Sequence, residues 1–361
     1  MRQKNTMVKS QPGQLTVGID LGDKFSHYCI LDRAGEVLEE GRIRTTADAL
    51  RTHFDNRGPM RLAIETGTHS TWVNELLVGF GHEVFVANTR DIPSISESNS
   101  KSDPKDAEQL ARLARVDPKL LHPIQHRSLE AQADLTLIRA RAKLVDVRTT
   151  LINTVRSTVK CLGHRLPKCV ADSFHNRCKA VIPTCVAEIL RPLIELIEGI
   201  SKQISAYDKA VEDLARTKYP QTAILRSVHG VGPIASLTFV LTISDKDRFP
   251  RSRDAGSYLG LRPKRSQSGD RDPQLRITKA GDTYMRKILI QCAQYILGPW
   301  CADSALRRWG LTLASRGGSS AKRRAIVAVA RKLAVLLHRI WVTGQRFRPF
   351  PELPVAAGTN A

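Results

Sequence analysis

Four acidic residues carry the chemistry to be expected of this sequence. Asp103 and Asp106 stand three apart in KSDPKDAEQLARLAR, at the mouth of a helical segment. A helix places residues 103, 106, 110 and 113 on one face, so both carboxylates share a face with Leu110 and Leu113. The competing reading is a cap, with Asp103 as N-cap, Pro104 in the first helical position and Asp106 at N3. A plain cap would sooner face water, whereas this face is apolar. Upstream, Asp20 lies inside the β-rich run TVGIDLG. Burying a carboxylate in a strand is costly unless a partner or a metal compensates. Glu65 ends a further run, RLAIETG, and open α/β sheets build their sites at strand ends. If the fold brings these four carboxylates near one point they repel one another, and Mg²⁺ (or Mn²⁺) would relieve that repulsion. Such ions activate a nucleophile and stabilise a leaving oxygen at a phosphodiester. Asp23 and Glu108 are less well placed reserves.

A second candidate chemistry lies in YLGLRPKRSQSGDRDPQLRITKAGDTYMRKILI. There Arg262, Lys264, Arg265, Arg271, Arg276, Lys279, Arg286 and Lys287 crowd around Ser266-Gln267-Ser268-Gly269. Serine is a poor nucleophile at its free pKa, but arginines can stabilise the charge that develops on a phosphoryl group. On chemistry alone, a solvated polar loop accounts for the same residues. Just upstream, His229-Gly230-Val231-Gly232-Pro233 joins two apolar helical segments and resembles a helix-hairpin-helix turn. The backbone N–H groups of such turns bind phosphate without reading sequence; an ordinary tight turn is the alternative.

The elements that must position these groups follow a clear order. Apolar runs predict strands at QLTVGIDLG, HYCILDRAG, EVLEEGRIRTT, RLAIETG and HEVFVAN, with helices at ADALRTHFDNRG, THSTWVNELLVGFG and from SDPKDA onward. Residues 14–120 therefore form a mixed α/β domain, preceded by a flexible tail over 1–13. From 121 to 217 helical periodicity dominates. Ile138, Val145, Ile152 and Val159 repeat at sevens, and Ile189, Leu193, Leu196, Ile200, Ile204, Tyr207, Val211 and Leu214 step by three or four. That spacing predicts two long helices of coiled-coil type, pairing with each other or with a second copy. Residues 218–348 form a mostly α domain that ends in the basic helix KRRAIVAVARKLAVLLHRIW, where Lys322, Arg323 and Arg324 are candidate nucleic-acid contacts. Residues 349–361 read as a disordered tail.

Composition narrows the partners. With 56 Lys+Arg against 35 Asp+Glu, the formal charge is +21, which favours a nucleic acid over other ligands. No apolar run is long enough to predict a membrane span. Seven cysteines without a CxxC pair predict reduced thiols. Four of them, with His164 and His175, cluster between 161 and 185, at spacings unlike a standard zinc finger.

Asp20 in the first strand, Glu65 ending the fourth and SDPKDA opening a helix resemble a ribonuclease-H-like (RuvC-like) nuclease core. An actin-like phosphate loop opens similarly at VGIDLG but needs a second Asp-Gly turn that the helical middle does not offer. The full order of motifs, with a coiled-coil insertion, LRSVHGVGP and YLGLRPKRSQSGD…ITKAGDTYMRKILI, resembles the DEDD transposases of the insertion-sequence one-ten family over roughly 14–345. That resemblance implies a DNA recombinase with Asp20, Glu65, Asp103 and Asp106 as its acidic, metal-binding quartet and Ser268 as a nucleophile joined covalently to DNA. It further implies a structured guide (bridge) RNA, a homo-oligomer whose composite site draws acids and serine from different subunits, and a bacterial cytoplasmic, nucleoid-associated setting. The family loop commonly reads Ser-Ser-Gly-Gly, so Ser266 remains a second candidate. His229, Gly230, Gly232, Arg262, Lys264, Arg265, Lys279 and Arg286 are the expected nucleic-acid contacts beside the basic helix. Two other classes stay open: a RuvC-like endonuclease that hydrolyses junctions with water, and a non-enzymatic nucleic-acid-binding protein.

Overall fold

The computed structural model describes residues 15–88, 92, 102–269, 271–273 and 275–350. The expected tail over 1–13 lies outside them; of the expected tail over 349–361, only Pro349 and Phe350 lie within. These two are held in place: the Pro349 carbonyl accepts a hydrogen bond from the Ala305 N–H at 2.8 Å, and the Arg308 guanidinium lies over the Phe350 ring. The chain divides into two compact units at Leu129/Glu130.

The first unit contains β1 (Thr16–Asp20), β2 (Phe25–Leu31), β3 (Val37–Arg44), α1 (Ala47–Phe54), β4 (Arg61–Glu65), α2 (Ser70–Gly79), β5 (Glu83–Ala87) and α3 (Asp103–Val116). Its sheet runs β3-β2-β1-β4-β5, with β2 antiparallel to both neighbours and β1, β4 and β5 parallel. Alternation along the strands sorts residues by size onto two faces. Val17, Ile19, Ile30, Leu62 and Ile64 pack with Leu50, Phe54, Val73 and Leu77 of α1 and α2. On the other face Gly18 stands between Cys29 and Ala63 in register, and α3 lies against this small-residue strip through Ala107, Leu110, Ala111 and Ala114.

Gly18 is what lets α3 approach. A Cβ there would lie 2.0 Å from the carbonyl oxygen of Ala107 and 2.5 Å from the amide nitrogen of Ala111. Backbone cannot yield as a side chain can. Gly18→Ala is therefore expected to cost about 3 kcal/mol, read as a lowered unfolding midpoint of the full-length protein in denaturant; an unchanged midpoint would refute the close packing.

Two expectations shift here. Asp20 is the last residue of β1 rather than an interior one. The N-cap of α3 is Ser102, so Asp103 is already the first helical residue, and no side-chain capping bond is made by the cap.

In the second unit the long helices α4 (Leu129–Cys161) and α6 (Thr184–Thr217) flank the short α5 (Phe174–Lys179). α4 and α6 run antiparallel and pair with each other. Ile138 meets Val211 near one end, and Val155 and Val159 meet Leu190, Ile194 and Ile197 near the other. Arg141 bonds Asp208 at 2.5 Å, and Arg148 bonds Ser201 at 3.1 Å and pairs with Asp172. The seam of α6 differs from the predicted one in its first half, while the predicted Ile200, Ile204 and Val211 are buried as expected. Ile189 is 73% exposed and Leu196 50% exposed, while Leu190, Ile194, Ile197, Ile204, Val211 and Ala215 are buried. Apolar residues sit at both sets of positions, so periodicity did not decide between them. Arg141 and Arg148 lie on the α4 side of the seam and need polar partners, and Asp208 and Ser201 lie in the observed register.

The remainder is α7 (Thr222–Leu225), α8 (Pro233–Ile243), α9 (Arg253–Tyr258), α10 (Thr283–Leu297), α11 (Ala305–Ala314) and α12 (Ser319–Thr343). α8 is buried from Ala235 to Ile243, and α10 and α12 close around it in one core. Among the described residues no helix is long and apolar enough to cross a membrane. No three His, Cys, Asp or Glu among them converge to hold a metal ion, so the possible zinc cluster at 161–185 is not formed.

Candidate active site

The sheet brings the acids together. Ile19 of β1 pairs with Ile64 of the parallel β4, so the next residues, Asp20 and Glu65, are neighbours at the carboxyl ends of two central strands. They lie on the face that α3 covers, since Gly18 and Ala63 two residues earlier contact that helix's strip. α3 begins there with Asp103 and Asp106; Asp106 is only 4% exposed. Burial pushes the Asp20 carboxyl up to about 7, and the negative charges of Glu65, Asp103 and Asp106, with a hydrogen bond to Glu65, push the same way. All four carboxylates are thus within electrostatic reach of one another.

The four are not folded around one point. No three of them stand close enough to share an ion, and Asp103 instead approaches His27 Nδ1 at 3.5 Å. Even so, the donor set suits a hard divalent cation. It is all oxygen, and burial together with the neighbouring negative charges raises the affinity of Asp20 for a proton, which a cation would offset.

Three residues here escaped the sequence reading. His27 is opposite Asp20 in the β1–β2 register, a position that the strand pairing itself predicts. His69 lies in the turn after Glu65, with Nε2 3.5 Å from Asp23 Oδ1. Trp72 Nε1 donates to His69 Nδ1 at 3.1 Å. Indole is only a donor, so Nδ1 accepts and the neutral ring carries its proton on Nε2. Of the two reserves, Asp23 therefore faces His69, whereas Glu108 is taken up by Arg112 four residues along α3 at 2.6 Å.

The serine lies in the second unit on an antiparallel arm. The Lys264 N–H donates to the Arg276 carbonyl at 2.8 Å and the Thr278 N–H to the Arg262 carbonyl at 2.9 Å. At the far end Ser268 and Arg271 exchange both backbone hydrogen bonds at 3.1 Å. That closes a two-residue turn opened by Gly269, whose φ of +54° suits a hairpin turn. Ser268 is thus a tip residue, with Ser266 two residues down the arm, and both are exposed. Arg262, Lys264, Arg265 and Arg271 are exposed along the same arm, beside a hollow of about 540 Å³ lined by Arg262, Lys264, Arg265 and Asp272 among others.

Other expected contacts divide by exposure. His229 and Gly232 are exposed in the turn before α8, as are Lys279 and the Lys322-Arg323-Arg324 run of α12, while Gly230 is half-buried with φ +85°. Arg286 is buried, and its guanidinium donates to the carbonyls of Leu259, Ala280 and Gly281 and to Thr283 Oγ1. It ties down the base of the arm rather than offering a surface charge.

A mixed five-stranded sheet, acids at the ends of two central parallel strands and more acids on the covering helix fit a ribonuclease-H-like DEDD enzyme. Residues 17–162 match a DEDD transposase family model of the IS110 type, described as "Transposase", and residues 222–304 match one described as "Transposase IS116/IS110/IS902 family". The mini-circle putative transposase for IS117 of Streptomyces coelicolor is 33% identical over 323 residues, covering 70% of this chain and 77% of that protein. The transposase for insertion sequence element IS1111A of Coxiella burnetii is 25% identical over 348 residues, covering 92% and 91%. A probable family 20 transposase of Pseudomonas aeruginosa is 25% identical over 343 residues, covering 92% and 98%. The chain belongs to the IS110 family of DEDD transposases, DNA-modifying enzymes of insertion sequences.

Proposed function

We propose that this transposase cuts and rejoins DNA through a covalent serine intermediate, with Ser268 as nucleophile. The observation that carries the reading is the place of Ser268, at the exposed tip of a cationic hairpin, in a chain that also gathers four carboxylates. Ser268 Oγ attacks phosphorus, the P–O bond to the leaving sugar oxygen breaks, and the proton given up by serine ends on that oxygen as a sugar hydroxyl. The phosphoserine ester keeps the phosphodiester energy, and a sugar hydroxyl reverses the step to rejoin DNA. Arg262, Lys264, Arg265 and Arg271 neutralise the phosphoryl oxygens. Asp20, Glu65, Asp103 and Asp106 would hold Mg²⁺ or Mn²⁺, and such an ion supplies Lewis-acid stabilisation of charge on phosphate oxygens. His229, Gly230 and Gly232, with Lys279 and the Lys322–Arg324 run, bind nucleic-acid backbone, which makes affinity fall with salt.

The family resemblance supports the finer parts of this reading: a structured bridge RNA that selects sequence by pairing, a homo-oligomer, and a composite site with acids and serine from different subunits. The helix pair α4–α6 is a coiled-coil element in that assembly, and the turn before α8 is a helix-hairpin-helix phosphate site.

The test is a denaturing gel of full-length protein with labelled junction DNA, the flanking RNA and Mg²⁺. A protein–DNA adduct is expected. Free ends with no adduct at any time would assign the site to a hydrolytic endonuclease, and binding without cleavage to a non-enzymatic role.

A further inference from the structure

A cavity of about 650 Å³ opens beside the turn that precedes α8. Its size lies in the range of small-ligand sites. Val145, Ile234 and Ile288 give it apolar walls, with Tyr284 and Tyr295 as flat aromatic surfaces. Arg141, Arg226 and Lys287 also line it, against a single carboxylate, Asp146. A ligand that suits both must be flat and apolar in one part and anionic in another.

Tyr295 is the central feature. It is 49% exposed, unusual for a large ring in a wall. A Cβ on Gly230 would come within 2.8 Å of its Cδ1, so the ring stands against the turn itself. Gln291, one helical turn earlier on α10, lines the same cavity and offers both a donor and an acceptor to a ring edge. The cations are held by ion pairs, Arg141 with Asp208, Arg226 with Glu212 and Lys287 with Asp146. The Arg226 and Lys287 pairs have both members exposed; such pairs are weak and exchange readily for a phosphate, whereas Arg141 stays bonded to Asp208 in the helix seam and adds positive potential only.

We propose that this cavity takes one unstacked base of single-stranded nucleic acid, stacked on Tyr295, with its phosphate at the cationic rim. The proposal rests on the nucleic-acid reading above and adds a site for a single nucleotide. The strand is DNA or RNA, and the chemistry recognised is the same.

Full-length protein is titrated by fluorescence anisotropy with oligothymidylate, oligouridylate and a DNA duplex of equal length. Tyr295→Ala is expected to weaken binding of at least one single strand by about 5- to 150-fold, the range of one stacked base. Duplex binding stays within about twofold, and Tyr295→Phe stays near wild type on every probe. The single strand that loses affinity names the source. Equal weakening on single strand and duplex, or none on either, overturns the proposal. Wild type that binds none of the probes overturns the nucleic-acid reading with it. Should Tyr295→Ala fail to fold, photocrosslinking of wild type to 5-bromouracil oligonucleotides decides. An adduct on Tyr295 within the tryptic peptide Ile288–Arg307 supports the site, and adducts found only at other residues, including the 86% exposed Trp300, refute it.

Discussion

Ser268→Ala is expected to abolish the covalent adduct and to lower strand transfer by about four orders of magnitude or more, the scale of losing a nucleophile. Ser266→Ala is expected to keep transfer within about threefold. The distinction is geometric. Ser268 closes the hairpin by exchanging two backbone bonds with Arg271, which holds its backbone at the exposed tip of the arm. Ser266 lies lower on the arm, where Lys264 is bonded across to Arg276 and Arg265 to Gln267. Both serines are exposed, so neither change should unfold the protein, and circular dichroism checks that. An adduct kept by Ser268→Ala but lost in Ser266→Ala would move the nucleophile two residues.

The acid cluster gives the second large effect. Asp20 is pushed up to about 7 from 3.8. The folded state then binds this proton more tightly than the unfolded chain does. The Asp20 contribution therefore costs nothing below about pH 4, and its cost grows as pH rises from there to about 7. Allowing for solvent screening, the cost reaches about 2–4 kcal/mol at pH 8. In chelator, this contribution makes the protein less stable at pH 8 than at pH 5. Mg²⁺ should recover more at pH 8, above the raised Asp20 value. Asp106→Asn removes one charge from the cluster. It should raise the midpoint in chelator at pH 8, lose most of the Mg²⁺ response, and lower strand transfer by about a thousandfold. Scanning calorimetry with and without Mg²⁺ reads the stabilities. A full Mg²⁺ response in Asp106→Asn would remove Asp106 from the ion-binding set.

Much of this was legible in the sequence because two periods were clean. The order of strands and helices through residue 116 follows from alternating and helical apolar runs, while the nearness of Asp20, Glu65 and α3 comes from the resemblance to a ribonuclease-H-like core, since periodicity does not say that β1 pairs with β4. The helical seam was less legible. Ile189 and Leu196 are as apolar as Leu190 and Ile197, so periodicity alone does not separate the two registers in the first half of the helix. The arm carrying Ser268 reads as a loop, since Pro263, Gly269 and Pro273 interrupt any alternation and a few cross-strand bonds hold it. Arg286 looks like every other cation in its stretch. That it is buried against three carbonyls depends on contacts with residues from 259 to 283 that no local pattern announces. His27 was readable in principle, from antiparallel pairing across a short turn, but only once β1 and β2 were placed in register.

The polar layers between α4 and α6 also make that helix pair a ruler. Arg141 opposite Asp208 and Arg148 opposite Ser201 are one heptad apart on each helix. Seven residues added to each strand of the pair beyond them would leave both layers intact and lengthen its reach by about 10 Å. One residue added to a single strand would turn the seam by about 100° and break every contact past it. Length in this element can therefore change across descendants only in whole steps, taken by both helices together.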